Sequence, residues 1–197
     1  MYVMTIDQVG SRGGEDRVPD LLGELSGIET LAPFERTVGD EVQGVPSDPD
    51  AVLRVAALVL RDGGWHCGIG IGAGTLGGGE PPSSRGGHGE AFLRARRAVE
   101  ASKGEPVSLC VRAADAGRAG DLEALLHLVG ILASRRTPSQ WAVIDAFEDS
   151  GSGAGAAEAL GISRQAVSQS LAASAWRAEV ATRPLARRLL ADLGEES

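Results

Sequence analysis

The chain has 197 residues, enough for one large or two small domains each with its own core, and 43% of them are apolar, as expected of a globular protein. Only 4% are aromatic, so the core must be built mainly from Ala, Val, Leu and Ile, and no apolar stretch approaches the length of a membrane span. A formal net charge of −8 excludes a general nucleic-acid coat, whose affinity would come from neutralising phosphates.

The opening MYVMTIDQV lacks a basic region ahead of an apolar run and does not read as a signal peptide, so a cytoplasmic protein is expected. Tyr2–Val9 is a β-rich run, Val18–Ile28 is amphipathic, and Phe34–Val45 is extended around Gly39-Asp40. Asp48-Pro49 opens a helix to Asp62 in cap-then-proline order, with Leu53, Val55, Ala56, Val59 and Leu60 on its apolar side. A strand at Trp65–Gly72 follows. The glycine-rich Gly74–Gly89 reads as a mobile connection that places Arg85 and His88 where they could touch a ligand. Helix Gly89–Lys103 and strand Val107–Arg112 complete the order βαββαβαβ.

Arg94, Arg96 and Arg97 make a solvated basic face on that helix and a second candidate for contacting an anionic partner. His66, His88 and His127 lack the mutual spacing of a zinc site, and Cys67 and Cys110 read as buried thiols within strands.

The stretches TIDQVGSR (5–12), GDEVQG (39–44), GIGIG (68–72) and HGEAFLRARRAVEASKG (88–104) resemble the SatD family of bacterial proteins over roughly the first 115 residues. More distantly, the domain resembles the palm domain of GGDEF diguanylate cyclases and class III nucleotidyl cyclases. That resemblance implies a ferredoxin-like fold, with one carboxylate ending the first strand and another at the tip of the central hairpin, together holding divalent metals on a nucleotide triphosphate.

Asp7 and Asp40 fall on those positions as metal ligands for Mg²⁺, and Glu41 follows as in the GGDEF motif. Gly39 would admit a phosphate to the backbone, and Arg85 and Arg12 are the cations near the expected loops. The first glycine of the motif is Val38 here, and Lys103, the only lysine, stands at a helix end and forms no phosphate clamp. A retained fold with binding or structural use is therefore expected in preference to turnover.

Ala119–Ser134 is a helix apolar over most of its circumference, through Leu122, Leu125, Leu126, Val129, Ile131 and Leu132. It must be covered by the sheet, by the helices that follow or by a second subunit. Thr137-Pro138-Ser139-Gln140 combines an N-cap, a proline at the first helical position and a reciprocal capping glutamine. Trp141, Ile144, Ala146 and Phe147 supply apolar contacts before a loop at Ser150–Gly155.

Ala156–Trp176 then has the layout of a DNA-reading helix-turn-helix. A short helix ends at Leu160, Gly161 takes the turn, Ser163 caps the second helix, and Ile162, Val167 and Leu171 form its buried stripe. Arg164, Gln165, Ser168 and Gln169 remain on the outer face, types that fork onto guanine, onto adenine, or reach base and phosphate alike; Arg177 follows. The run resembles regulators and sigma-like factors whose last helix begins GISRQAVSQ, over about 45 residues.

Between Arg135 and Arg188 seven arginines face five acids, so the acidic load sits in the N-terminal part. Val180–Leu193 is a further amphipathic helix after Pro184, and Glu195-Glu196-Ser197 is expected to fray.

The expected architecture is α+β: a palm-type domain over 1–115, a connecting helix over 116–136, and an all-α helix-turn-helix domain over 137–193. The expected function is a DNA-binding transcriptional regulator, a homodimer with a ligand-sensing or assembly domain. The alternative is a metal-dependent nucleotide-binding or nucleotidyl-transfer enzyme, with a nucleotide-binding pseudoenzyme between the two.

Overall fold

The computed structural model describes residues 1–11 and 13–195. Arg12 and the end of the C-terminal tail, Glu196 and Ser197, lie outside the described residues. The fold is mixed α+β and divides into two compact units, Met1–Gly130 with the C-terminal segment from Pro184, and Ile131–Arg183. No helix among the described residues is long and apolar enough to cross a membrane.

The first unit runs β1 (Tyr2–Gln8), α1 (Val18–Leu25), β2 (Thr30–Arg36), β3 (Glu41–Pro46), α2 (Pro49–Asp62), β4 (Trp65–Ile71), β5 (Thr75–Gly77), β6 (Ser83–His88), α3 (Glu90–Ser102), β7 (Leu109–Arg112) and α4 (Ala116–Ser134). Five strands form one sheet in the order β2-β3-β1-β4-β7, antiparallel except for the last pair.

Alternation along the strands gives the sheet two unlike faces. Tyr2, Met4, Ile6, Cys67, Ile69 and Ile71 enter the main core beneath α1, α2 and α4. Val3, Ala32 and Val45 face α3 through Ala91, Phe92 and Ala95. Gly68 and Gly70 explain how close α3 comes. A Cβ on Gly68 would stand 2.2 Å from Val99 N, and one on Gly70 2.2 Å from Ala91 O, so only glycine lets the helix lie on β4.

Helix α2 is capped as its sequence predicts, with Asp48 accepting from Ala51 N at 2.8 Å. Its buried side includes Val52, whereas Leu53 is half-buried. The outer edge of β7 is closed by α4: Val111 N donates to Glu123 Oε2 at 2.7 Å, and His127 Nε2 lies 2.6 Å from Leu109 O. That blunts an edge otherwise open to strand addition.

Two sequence expectations change in this unit. The glycine-rich connection is a β-hairpin, β5–β6, pinned by Glu35, which accepts from Ser83 Oγ (2.5 Å), Ser84 N (2.9 Å) and Ser84 Oγ (3.1 Å). The C-terminal turns of α8 (Trp176–Glu195) supply Ala186, Leu190 and Leu193 to this unit's core, and Tyr2 Oη donates to Leu190 O at 3.0 Å. Pro184 lies inside α8 and does not end it.

The second unit contains α5 (Pro138–Ser150), α6 (Gly153–Leu160), α7 (Arg164–Ala173) and the beginning of α8. Thr137 and Gln140 form the expected reciprocal capping box. Its core is Val143, Ile144, Ala156, Ala157, Val167, Leu171 and Trp176. Helix α6 starts at Gly153, inside the stretch expected as a loop, because Ser152 caps it by accepting from Gly155 N at 3.0 Å.

Candidate functional site

Helix α6 ends at Gly161, whose φ of 65° is the left-handed conformation a residue without a Cβ adopts cheaply. Ser163 begins the next helix by accepting from Ala166 N at 3.1 Å. These two devices set a turn between α6 and α7. Val167 and Leu171 are buried, while Arg164, Gln165, Ser168 and Gln169 are exposed. At about 100° per residue those four occupy one arc of about 140°. Arg177, also exposed, lies on the first turn of α8.

Ile162 is a correction to the expected buried stripe: it is 40% exposed. It precedes the first helical residue, and its N–H is spent on Ala157 O at 3.0 Å, so helical periodicity does not carry it inward with Val167 and Leu171.

The far end of α7 is fixed by a buried cation that periodicity does not reveal. Arg136 Nε donates to Ser174 O at 3.0 Å, Nη1 stands 2.6 Å from Glu179 Oε2, and the guanidinium lies 4.7 Å from the Trp141 ring centre. The Arg136–Glu179 contact is an ion pair lacking hydrogen-bond alignment, and Nη2 is buried without a partner among the described residues. Ala175, a non-glycine residue at φ 52°, follows Ser174 in the junction so held.

In the first unit, the turn between β2 and β3 closes through Thr37 N to Glu41 O (2.9 Å) and Glu41 N to Val38 O (3.0 Å), with Gly39 at φ 62°. Register then sets Glu41 opposite Asp7 on one side and His66 opposite it on the other. The fold thus brings together the two carboxylates singled out in the sequence. A hydrogen bond from Ser11 holds the Asp40 carboxyl below the usual aspartate range, aided by Asp7 and by the Lys103 ammonium, against the opposing effect of burial.

Lys103, absent from the sequence-derived site, supplies the nearest cation: its Nζ is 2.7 Å from Asp7 Oδ2 and 2.9 Å from Glu100 Oε1. Spacing gives no sign of this contact, because 96 residues of chain separate the partners in the numbering. Burial pushes the His66 imidazole toward its neutral form, and its Nδ1 has no partner among the described residues.

The remaining nucleotide-binding candidates divide between two clefts. Gly39 and Asp40 line a depression of about 330 Å³ with Gln8, Ser11, Asp16 and Arg36. Glu41 and Arg85 line another of about 470 Å³ with Thr37, Gln43, His88 and Arg96. Arg85 is held through Nε to Arg36 O at 3.0 Å and to Glu35 Oε2 at 3.2 Å. Among the described residues no group of three or more His, Cys, Asp or Glu is placed to hold a metal ion. Cys67 and Cys110 are both buried and free of a disulfide; burial pushes the Cys67 thiol up to about 12, and burial with the neighbouring Glu123, against the opposing charge of Arg112, pushes Cys110 up to about 11.

No family model, curated protein or solved structure matches the chain.

Proposed function

We propose that the protein is a sequence-specific DNA-binding transcriptional regulator, acting as a cytoplasmic homodimer, in which α6 and α7 form a helix-turn-helix and α7 reads the major groove. The observation that carries this reading is the exposed arc of Arg164, Gln165, Ser168 and Gln169 on a helix whose other side is buried through Val167 and Leu171. An arginine can grip guanine O6 and N7 together, a glutamine adenine N6 and N7, and serine either base or phosphate.

The second unit, Ile131–Arg183, holds five arginines against five acids and carries no net positive charge, so base contacts and paired half-sites would supply the affinity in place of broad phosphate neutralisation. Arg177 is the candidate phosphate contact. In this reading the first unit is a palm-type, ferredoxin-like domain that senses a ligand or mediates assembly, a view supported by its βαββαβ order and its central pair β1–β3.

Selection of duplexes from a random library, followed by binding measurements across a salt series, tests the proposal. A recovered consensus whose binding fails in Arg164→Ala supports it; retention of all sequences equally removes it.

One observation favours a second reading, a Mg²⁺-dependent nucleotide site on the first unit: the Asp7 and Asp40 carboxyls adjoin each other across the β1–β3 pair. Calorimetric titration with nucleoside triphosphates and Mg²⁺ tests it, and heat lost in Asp7→Asn would support it. The position of Lys103 on Asp7 weighs against the metal.

A further inference from the structure

The end of the sheet beneath α3 carries a row of ionisable groups, His66, Asp7 and Glu41, on three adjacent strands. They share a face, because each stands two residues along its strand from a position that meets α3 or the buried polar layer beneath it: His66 before Gly68, Asp7 after Thr5, Glu41 before Gln43. That layer is tied by Gln43 Nε2 donating to Thr5 Oγ1 at 3.1 Å. Asp40 adds a further carboxyl from the β2–β3 turn, and Glu100 another from the last turn of α3. Carboxylates therefore crowd this end of the unit, and they need a cation.

The cation is already in the chain. Lys103 caps the C-terminal end of α3, where the helix dipole favours positive charge, and reaches back to Asp7 at 2.7 Å with Glu100 bracing it at 2.9 Å. Mg²⁺ binds carboxylate oxygen at about 2.0–2.1 Å and demands near-octahedral ligands. An ammonium hydrogen-bonded to Oδ2 of Asp7 fills that approach, and two cations sharing one carboxylate repel each other.

We propose that the Lys103 ammonium is the resident cation of the Asp7–Asp40 pair, and that a divalent metal enters this site only when the lysine is withdrawn. The residues present fit an internal cation and do not fit a metal beside it. The first unit then keeps its two carboxylates together without an external ion. This inference is independent of DNA reading by α7.

Manganese binding to the full-length chain, followed by electron paramagnetic resonance, tests the proposal. Lys103→Met should bind Mn²⁺ at least about tenfold more tightly than the wild type, a difference of about 1.4 kcal/mol. The added Asp7→Asn substitution should abolish that gain, and Lys103→Arg should behave like the wild type. Equal affinity in wild type and Lys103→Met would overturn the proposal.

Because Lys103 is the only lysine, a chain labelled with ¹³C at lysine Cε gives a single resonance needing no assignment. In the wild type, millimolar Mg²⁺ should leave it in place while Asp7→Asn shifts it. A saturable shift on adding Mg²⁺, or no response to Asp7→Asn, would also overturn the proposal, even if Lys103→Met does not fold.

Discussion

Arg136 and Glu179 form a buried ion pair at 2.6 Å, their side chains 1% and 9% exposed, at the junction where α7 gives way to α8. The pair joins the residue just before the capping box of α5 to the first turn of α8, and the same guanidinium donates to Ser174 O. It is a positioning device for the end of α7.

Removing Glu179 leaves the Arg136 guanidinium buried without its counter-ion, whereas Glu179 deprived of Arg136 keeps Arg183 Nη2 at 3.3 Å from its Oε1. Glu179→Leu should destabilise the second unit by about 3–5 kcal/mol and Arg136→Met by less, whereas the double substitution should recover most of the Glu179→Leu loss. Thermal unfolding followed by circular dichroism reads both. Additive losses in the double variant would show that the charges do not act as a pair.

A second prediction concerns the seat of α3. Gly70→Ala places a Cβ 2.2 Å from Ala91 O, and the helix must lift off β4 to admit it. The expected cost is about 1–3 kcal/mol or more. Gly23→Ala is the control: it lies within α1 with open space around it, and should stabilise the chain by about 0.4–1 kcal/mol. A neutral Gly70→Ala would contradict the packing described.

Local chemistry carries most of what was legible in the sequence. The capping residues Asp48, Thr137 with Gln140, and Ser163 all cap, because a side chain bonding a backbone amide two or three residues on depends on nothing distant. The turn glycine Gly161 is equally local. The β5–β6 hairpin escaped because its anchor, Glu35, is on β2; against burial, the hydrogen bonds from Ser83, Arg85 N and Ser84 hold that carboxyl below its usual range. Lys103 escaped for the same reason, since its partner stands at the other end of the unit's sequence. Ile162 stands two residues before α7 begins, where the periodicity of the helix does not reach, and it is exposed.

The Asp40 and Lys103 interactions bracket a pH window. The Asp40 carboxyl is held below its ordinary value of 3.8, so its contribution is present above that value and lost as pH falls through the lower folded one. Hydrogen bonds to Asp7 and Glu100 raise the Lys103 ammonium above 10.5, so its contribution is present below that value and lost as pH rises through the higher folded one. The Tm gap between wild type and Asp40→Asn should therefore be constant near neutrality and close on the acid side. A gap unchanged down to pH 2 would exclude the linkage.

The cysteines should be inert in the native chain. With thiols pushed up to about 12 and about 11, neither Cys67 nor Cys110 should react with a thiol reagent at pH 8 until the first unit unfolds. Rapid native labelling of Cys67 would place it outside the main core.

Base reading by α7, as proposed, is measured most directly by fluorescence anisotropy of a selected duplex against a scrambled one. Arg164→Ala and Gln165→Ala should each weaken binding to the selected duplex by about 1–3 kcal/mol and leave binding to the scrambled one nearly unchanged. Equal affinity for both duplexes in the wild type, unaffected by either substitution, would contradict it.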